Sequence, residues 1–322
     1  METPLRPMSA GLVLDRTFQI YRTHFVMLVG IGLPLPAVLL LLQLVFIPLG
    51  YPPPSGAAVR NPLFFWTTAM EYFSVWLLVY MIAQAITGAA TVYAVSRLHL
   101  GETVSIGESY RKTLPRFWSV LRIAWNIFLR FVGAGLITYI ACVIFVIAFS
   151  ALLSLGARGA SSGLYIVAVL LGLIPFFAGI FWMLYLYAKY CLAVPVCLME
   201  SMPARPALRR SRFLAKGSIR KIILIYILMF VLGLTLSTIF WLPEQFYTMF
   251  HGRSYMFTVL LRSSGSFFAG VLAGPISTIA VALIYYDQRI RKEAFDLQRM
   301  MESMGQPNPP SPPEASLMAP QV

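Results

Sequence analysis

The chain of 322 residues is 59% hydrophobic and only 11% charged, with a mean hydropathy of +0.76, whereas a soluble domain carries roughly 25% charged residues. That balance excludes an ordinary water-soluble fold and points to lipid as the solvent. The formal net charge of +13 does not imply a nucleic-acid partner, because the cations sit between long apolar runs, where retention beside anionic lipid accounts for them.

No short apolar segment with a small-residue cleavage site stands near the start, so the first apolar run, from Phe25, is expected to be an uncleaved span. Ahead of it, residues 9–24 place Leu14, Phe18 and Tyr21 at helical spacing, with Asp15, Arg16, Gln19 and Arg22 on the other side. This predicts an amphipathic helix, lying either at the membrane interface or on the protein's own helices. Spans are predicted over about 25–49, 75–95, 131–155, 164–187, 219–241 and 265–286, each near the ~20 residues that a crossing needs. Pro34 and Pro36 inside the first predict a kink or break, which a membrane helix tolerates when neighbours satisfy the freed carbonyls. Residues 63–72 are assigned to the outer interface, with Glu71 at headgroup depth.

Between the second and third spans, Gly101 ends a helix, Thr103 or Ser105 can cap the next, and Ile106, Tyr110 and Leu114 form a second amphipathic face. Arg122, Asn126 and Arg130 follow at spacings of four. An arginine at the bilayer centre is costly, so these are placed at the cytosolic rim; a polar groove lined by them is the alternative. Span 4 is expected to kink at Pro175.

The connector from Lys189 to Lys221 holds eight Lys/Arg and one acid, Glu200. Arg205, Arg209, Arg212 and Lys216 fall at spacings of 4, 3 and 4 on one helical face, with Ala204, Ala207, Leu208, Leu214 and Ala215 largely away from it. Such a face suits anionic phospholipid headgroups, and these four are candidate lipid contacts; plain topological retention is the other reading. Gly217 can break this helix and Ser218 can cap span 5. Residues 242–264 read as the last outer loop, with Glu244, Arg253 and Arg262. In span 6, Ser266, Gly270, Gly274 and Thr278 recur every four residues, a candidate helix-packing row. Beyond it, Asp287/Arg291 and Lys292/Asp296 can pair at i, i+4.

The fold class that follows is all-α: a polytopic bundle of six spans with short cytosolic amphipathic helices, forming one integral membrane domain over 1–304, with a Pro-rich tail, 305–322, expected to be disordered. Connectors and rim segments assigned inside hold 21 of the 25 Lys/Arg; the remaining four are Arg60, Arg158, Arg253 and Arg262. That bias puts both termini in the cytosol.

The search for chemistry finds little. Cys142, Cys191 and Cys197 form neither a disulfide framework nor a CxxC pair. None of His24, His99 and His251 starts an HRG, and there is no HExxH, HxxEH, GxxxxGK[ST] or GxGxxG. No catalytic residue, metal or cofactor is assigned, and the protein is not expected to be an enzyme. The leading expectation is a structural or regulatory membrane component whose partners are the lipid bilayer, anionic headgroups and a membrane protein or second copy. Broken helices at Pro34/Pro36, Pro175 and Gly274-Pro275, with polar Gln84, Thr87 and Thr91 on span 2, keep a transporter or channel-like reading as the alternative.

Three stretches considered together resemble one family. LDRTFQIYR before span 1, Pro195…Glu200…ALRRSRFLAKG in the basic connector and YYDQRIRKEAFDL after span 6 resemble the glycerophosphoryl diester phosphodiesterase membrane domain family, including its stand-alone members in bacterial inner membranes. The resemblance covers most of residues 9–298; the family often has Asn where His24 stands and Gly where Ala294 stands. It implies a membrane domain, makes an accessory to such a phosphodiesterase a further alternative, and carries over no catalytic residue. It also draws attention to a threefold internal pattern, an amphipathic helix before a two-span hairpin near residues 9, 103 and 203. The steps Thr17-Phe18, Ser109-Tyr110 and Ser211-Arg212-Phe213 fall near equivalent points.

Overall fold

A computed structural model describes residues 8–46, 62–156, 162–251 and 255–293, and these are 92% helical with no strand. That is the outcome lipid demands of an open chain, since a helix satisfies its backbone groups internally. The helices are α1 (Ala10–Thr23), α2 (Phe25–Gly32), α3 (Pro34–Phe46), α4 (Pro62–His99), α5 (Ile106–Thr113), α6 (Phe117–Gly156), α7 (Ser162–Tyr190), α8 (Ala193–Met199), α9 (Ala204–Ala215), α10 (Ile219–His251) and α11 (Tyr255–Glu293). Five of them, α4, α6, α7, α10 and α11, are long and apolar enough to cross a membrane. The α2/α3 pair, bent by 42° at its break, is long and apolar enough only when taken together, as a broken span or a re-entrant loop. Pro175 lies inside α7, which continues unbroken across it. The expected pairing partner Asp296 and the tail 305–322 lie outside the described residues.

The bend in the first span has a local cause. Pro34 and Pro36 bring no N–H, so the carbonyls of Gly30 and Gly32 lose their helical partners. Gly32 lies against Pro275 of α11, so close that a Cβ would stand 2.9 Å from the proline ring. Neighbours serve the carbonyls around the break, as lipid requires: the Tyr110 hydroxyl of α5 donates to Ile31 O. At the proline in α11, the Tyr21 hydroxyl of α1 donates to Leu272 O at 2.9 Å.

The threefold pattern is present as architecture. Helix α1 precedes α2/α3 and α4, α5 precedes α6 and α7, and α9 precedes α10 and α11. The small hydroxyl residue of each short helix is fully buried and donates to a carbonyl: Thr17 to Val13 O at 2.7 Å, Ser109 to Ser105 O at 2.9 Å and Ser211 to Lys189 O at 2.8 Å. A small side chain at the contact lets the short helix seat closely, and the internal hydrogen bond removes the cost of burying its hydroxyl. Ser9 caps α1 and Ser105 caps α5, each accepting from a backbone N–H at 3.2 Å. Gly101 and Gly217 adopt φ of 81° and 88°, a left-handed conformation that glycine enters without steric penalty. They turn the chain from α4 towards α5 and from α9 into α10.

Two expectations about faces are corrected. The buried face of α1 is Val13, Thr17 and Ile20, while Phe18 is 43% exposed; that of α5 is Ser109 and Thr113, while Leu114 is 61% exposed. Small and β-branched residues mark the closest contact; Leu14, Tyr21 and Tyr110 of the expected faces still pack against the core, and Phe18 and Leu114 turn outward. Helix α1 lies on the protein's own helices α11 and α10. The expected outer loop 242–264 is also corrected: α10 runs to His251 and α11 begins at Tyr255. Both helices outrun the apolar stretches that predicted their spans, and Glu244 is buried there.

Helices α4 and α11 are central, with 44% and 50% of their apolar windows buried inside the protein, against 6% for the window that includes α6 and 11% for α10. The fully buried large side chains, among them Leu28, Ile123, Leu192, Leu214, Ile222, Leu283 and Tyr285, gather at the end of the bundle that carries α1, α5, α8 and α9. This end is called the collar below. Met8 bonds to Asp287, so the first and last described segments meet at the collar.

Candidate functional site

The collar sorts its cations into two populations. On α9, Ala204, Ala207, Leu208, Ser211, Leu214 and Ala215 are buried, while Arg205, Arg209, Arg212 and Lys216 are all exposed. No hydrogen bond or ion pair to a described residue engages those four side chains. Arg210, between two members of the stripe, turns inward. Its Nε donates to Glu200 Oε2 at 3.0 Å and its guanidinium also pairs with Glu293. Glu200 Oε1 accepts from the Tyr285 hydroxyl at 3.0 Å, and Glu293 accepts from Arg289 at 3.2 Å. The lone acid of the basic connector is thereby the hinge pin between α9 and α11.

Asp287 forms a second node and is wholly buried. Its oxygens accept from Lys221 Nζ at 2.6 Å, from Arg291 Nε at 3.1 Å, from Gln288 Nε2 at 2.9 Å and from the Met8 amide at 2.7 Å. The i, i+4 pairing with Arg291 follows the expectation. Lys292, whose expected partner Asp296 lies outside the described residues, donates to Phe213 O and Lys216 O, at 2.5 and 2.6 Å, where a cation opposes the negative end of α9. Arg116 closes α8 in the same way, donating to Cys197 O at 2.8 Å and Leu198 O at 3.0 Å. Sequence reasoning missed the Glu200 and Asp287 nodes. The signal was there in the scarcity of acids: a single carboxylate among many cations is a candidate for a buried multi-cation contact.

The rim arginines lie at the collar end. The Arg130 guanidinium sits 4.8 Å over the ring of Tyr190, the last residue of α7, and donates to Asn126 O at 2.7 Å; Arg122 is exposed. His99, beyond the apolar stretch 75–95, packs 5.2 Å from the Tyr286 ring. Neither ring nitrogen has a hydrogen-bond partner among the described residues.

Away from the collar, a cleft of about 360 Å³ opens between α3, α4 and α11. Ser266, Gly270 and Gly274 line it. Of the two glycines in the candidate packing row, Gly270 makes a close helix approach, to Pro36, where a Cβ would stand at 3.2 Å; Gly274 is exposed and faces open space. Ser266 Oγ accepts from Trp241 Nε1 at 3.4 Å and Thr278 Oγ1 donates to Gly274 O at 3.4 Å. Tighter approaches are Gly179 to Thr138, Gly265 to Phe240, Gly30 to Ile106 and Gly32 to Pro275, none of which the four-residue row contains. Among the described residues no three His, Cys, Asp or Glu side chains group to hold a metal ion, and the three cysteines are free thiols. No protein-family model, curated protein or solved structure matches this chain.

Proposed function

We propose that this chain is a non-catalytic integral membrane protein of the bacterial inner membrane, with both termini cytosolic, whose collar contacts anionic phospholipid headgroups through Arg205, Arg209, Arg212 and Lys216. One observation carries the reading. Glu200, Asp287 and Glu293 pair with Arg210, Lys221, Arg289 and Arg291, while one exposed face of α9 keeps four cations facing away from the core. An exposed cation near an anionic leaflet contributes roughly 1 kcal/mol, within a Debye length of ~8–10 Å. Four on one short helix therefore reach about 4 kcal/mol at most.

Replacing all four by Gln tests the reading. The remaining cytosolic cations still direct insertion, and the buried face of α9 is untouched, so the variant is expected to insert and fold. Co-purifying phosphatidylglycerol and cardiolipin are expected to fall by about tenfold or more. Lipid content equal to wild type reduces the stripe to a topological signal. Orientation has its own test. In intact cells, a Cys placed at Ser55 is expected to react with a membrane-impermeant maleimide and one at Ser311 is not; the reverse pattern overturns the topology.

A further inference from the structure

We propose that the cleft between α3, α4 and α11 is a binding site for an uncharged amphiphile, a lipid whose head carries hydroxyl or amide groups and no charge. The first ground is depth. At a rise of 1.5 Å per residue, Ser277 lies about 15 Å and Ser266 about 32 Å along α11 from the Asp287 node, and Gln84 lies about 22 Å along α4 from His99. With the collar at one membrane face, a hydrocarbon core of about 30 Å contains most of the cleft.

The second ground is chemistry. Gln43 of α3 and Gln84 of α4 both line the cleft, and neither carboxamide hydrogen-bonds to a described residue. At hydrocarbon depth an unpaired amide is expensive, so these two groups demand a partner from outside the fold. Ser266, Ser277 and Tyr80 extend the same lining with hydroxyls. Amide and hydroxyl groups offer donors and acceptors together, which matches a polyol or amide head. No Asp, Glu, Lys, Arg or His lines the cleft, so a charged head there would have no counter-charge.

The third ground is shape and access. The 42° bend between α2 and α3 brings Pro36 against Gly270, and beside that contact α3, α4 and α11 enclose the cleft. Trp76 and Tyr80 stack at 5.3 Å as one wall, the remaining lining is largely aliphatic and aromatic, and Gly274 and Ser277 at its edge are exposed. An amphiphile entering sideways from the bilayer places its chain on this wall and its head at the carboxamides. A freely soluble polar solute would leave the apolar lining unmatched. This site is separate from the basic face of α9, and either can fail without the other.

The test uses the purified full chain in micelles, with a photoactivatable monoacylglycerol carrying a diazirine in its acyl chain. Two controls share that chain, one ending in a carboxylate and one in a phosphate. The expected result is labelling of α3, α4 and α11 peptides by the monoacylglycerol, competed by unlabelled monoacylglycerol and weaker for both charged heads. In a Gln43→Leu/Gln84→Leu variant, labelling is expected to fall by about tenfold. Equal labelling by all three heads, labelling spread over the exposed faces of α6 and α7, or an undiminished signal in a folded double variant would each overturn the proposal. Absence of labelling overturns it as well and leaves the cleft to water. The headgroup comparison on the wild-type chain decides the matter even where the double variant does not fold.

Discussion

Asp287→Asn is expected to lower the stability of the bundle by about 3–5 kcal/mol, the cost of removing one partner from a buried ion pair. The carboxylate is wholly inaccessible and accepts from Lys221, Arg291, Gln288 and the Met8 amide. An Asn side chain of the same shape removes the negative charge and points an amide N–H into donors. Lys221, whose side chain is only 18% exposed, is then left without a counter-charge. The loss extends past the pair, because Lys221 Nζ and Arg291 also donate to Met8 O, at 2.5 and 2.7 Å, and this holds the start of the described chain to the end of α11. The melting temperature of Asp287→Asn and its susceptibility to proteolysis at the N-terminal segment are the measurements. A double variant, Asp287→Leu/Lys221→Leu, is expected to recover part of the loss, since an apolar pair removes the stranded charge. A melting curve for Asp287→Asn that overlays wild type would show that the node carries no stability.

Gly265→Ala is expected to destabilise the α10–α11 contact, although alanine is the better helix former by about 1 kcal/mol. The added Cβ would overlap the carbonyl oxygen of Phe240 across the α10–α11 contact. Backbone cannot rotate aside as a side chain can, so the two helices must separate, at a cost typical of overpacking, about 1–3 kcal/mol or more. Gly233→Ala supplies the contrast: a Cβ there meets nothing within 4 Å, so the propensity gain of up to about 1 kcal/mol appears unopposed. Thermal denaturation in one detergent ranks the three proteins. The order Gly233→Ala, wild type, Gly265→Ala from most to least stable is expected, and Gly265→Ala at or above wild type would mean that the two backbones do not meet there.

Gly265 also shows what a packing argument from sequence does not reach. Ser266, Gly270, Gly274 and Thr278 share a face by periodicity, and such a face invites a neighbour. Which face of α11 meets α10, and where, depends on the rotation and crossing of two helices. The bent α3 meets that row at Gly270, Trp241 of α10 meets it at Ser266, and the cleft lies beside them. The stripe on α9 was legible for the opposite reason. Exposed cations and buried alanines separate by solvation alone, and a period of 3.6 residues displays that division directly.

What the sequence determined by itself is the set of properties that local composition controls. Apolar length against bilayer thickness sets the crossings, the prolines set the bend in the first, Gly101 and Gly217 set two helix ends, and Ser105 sets a cap. The three short amphipathic helices follow from the same local reading. Tertiary structure alone decided the partners of the few acids beyond the Asp287/Arg291 pair, the inward faces of α1 and α5, and the cleft. Glu200 reaches Arg210 ten residues away but also Tyr285, and Asp287 reaches the Met8 amide 279 residues away. In a chain whose apolar residues can face either lipid or protein at similar cost, hydrophobicity no longer marks the inside. Close approach of small residues and the pairing of scarce charges choose it instead, and both are long-range.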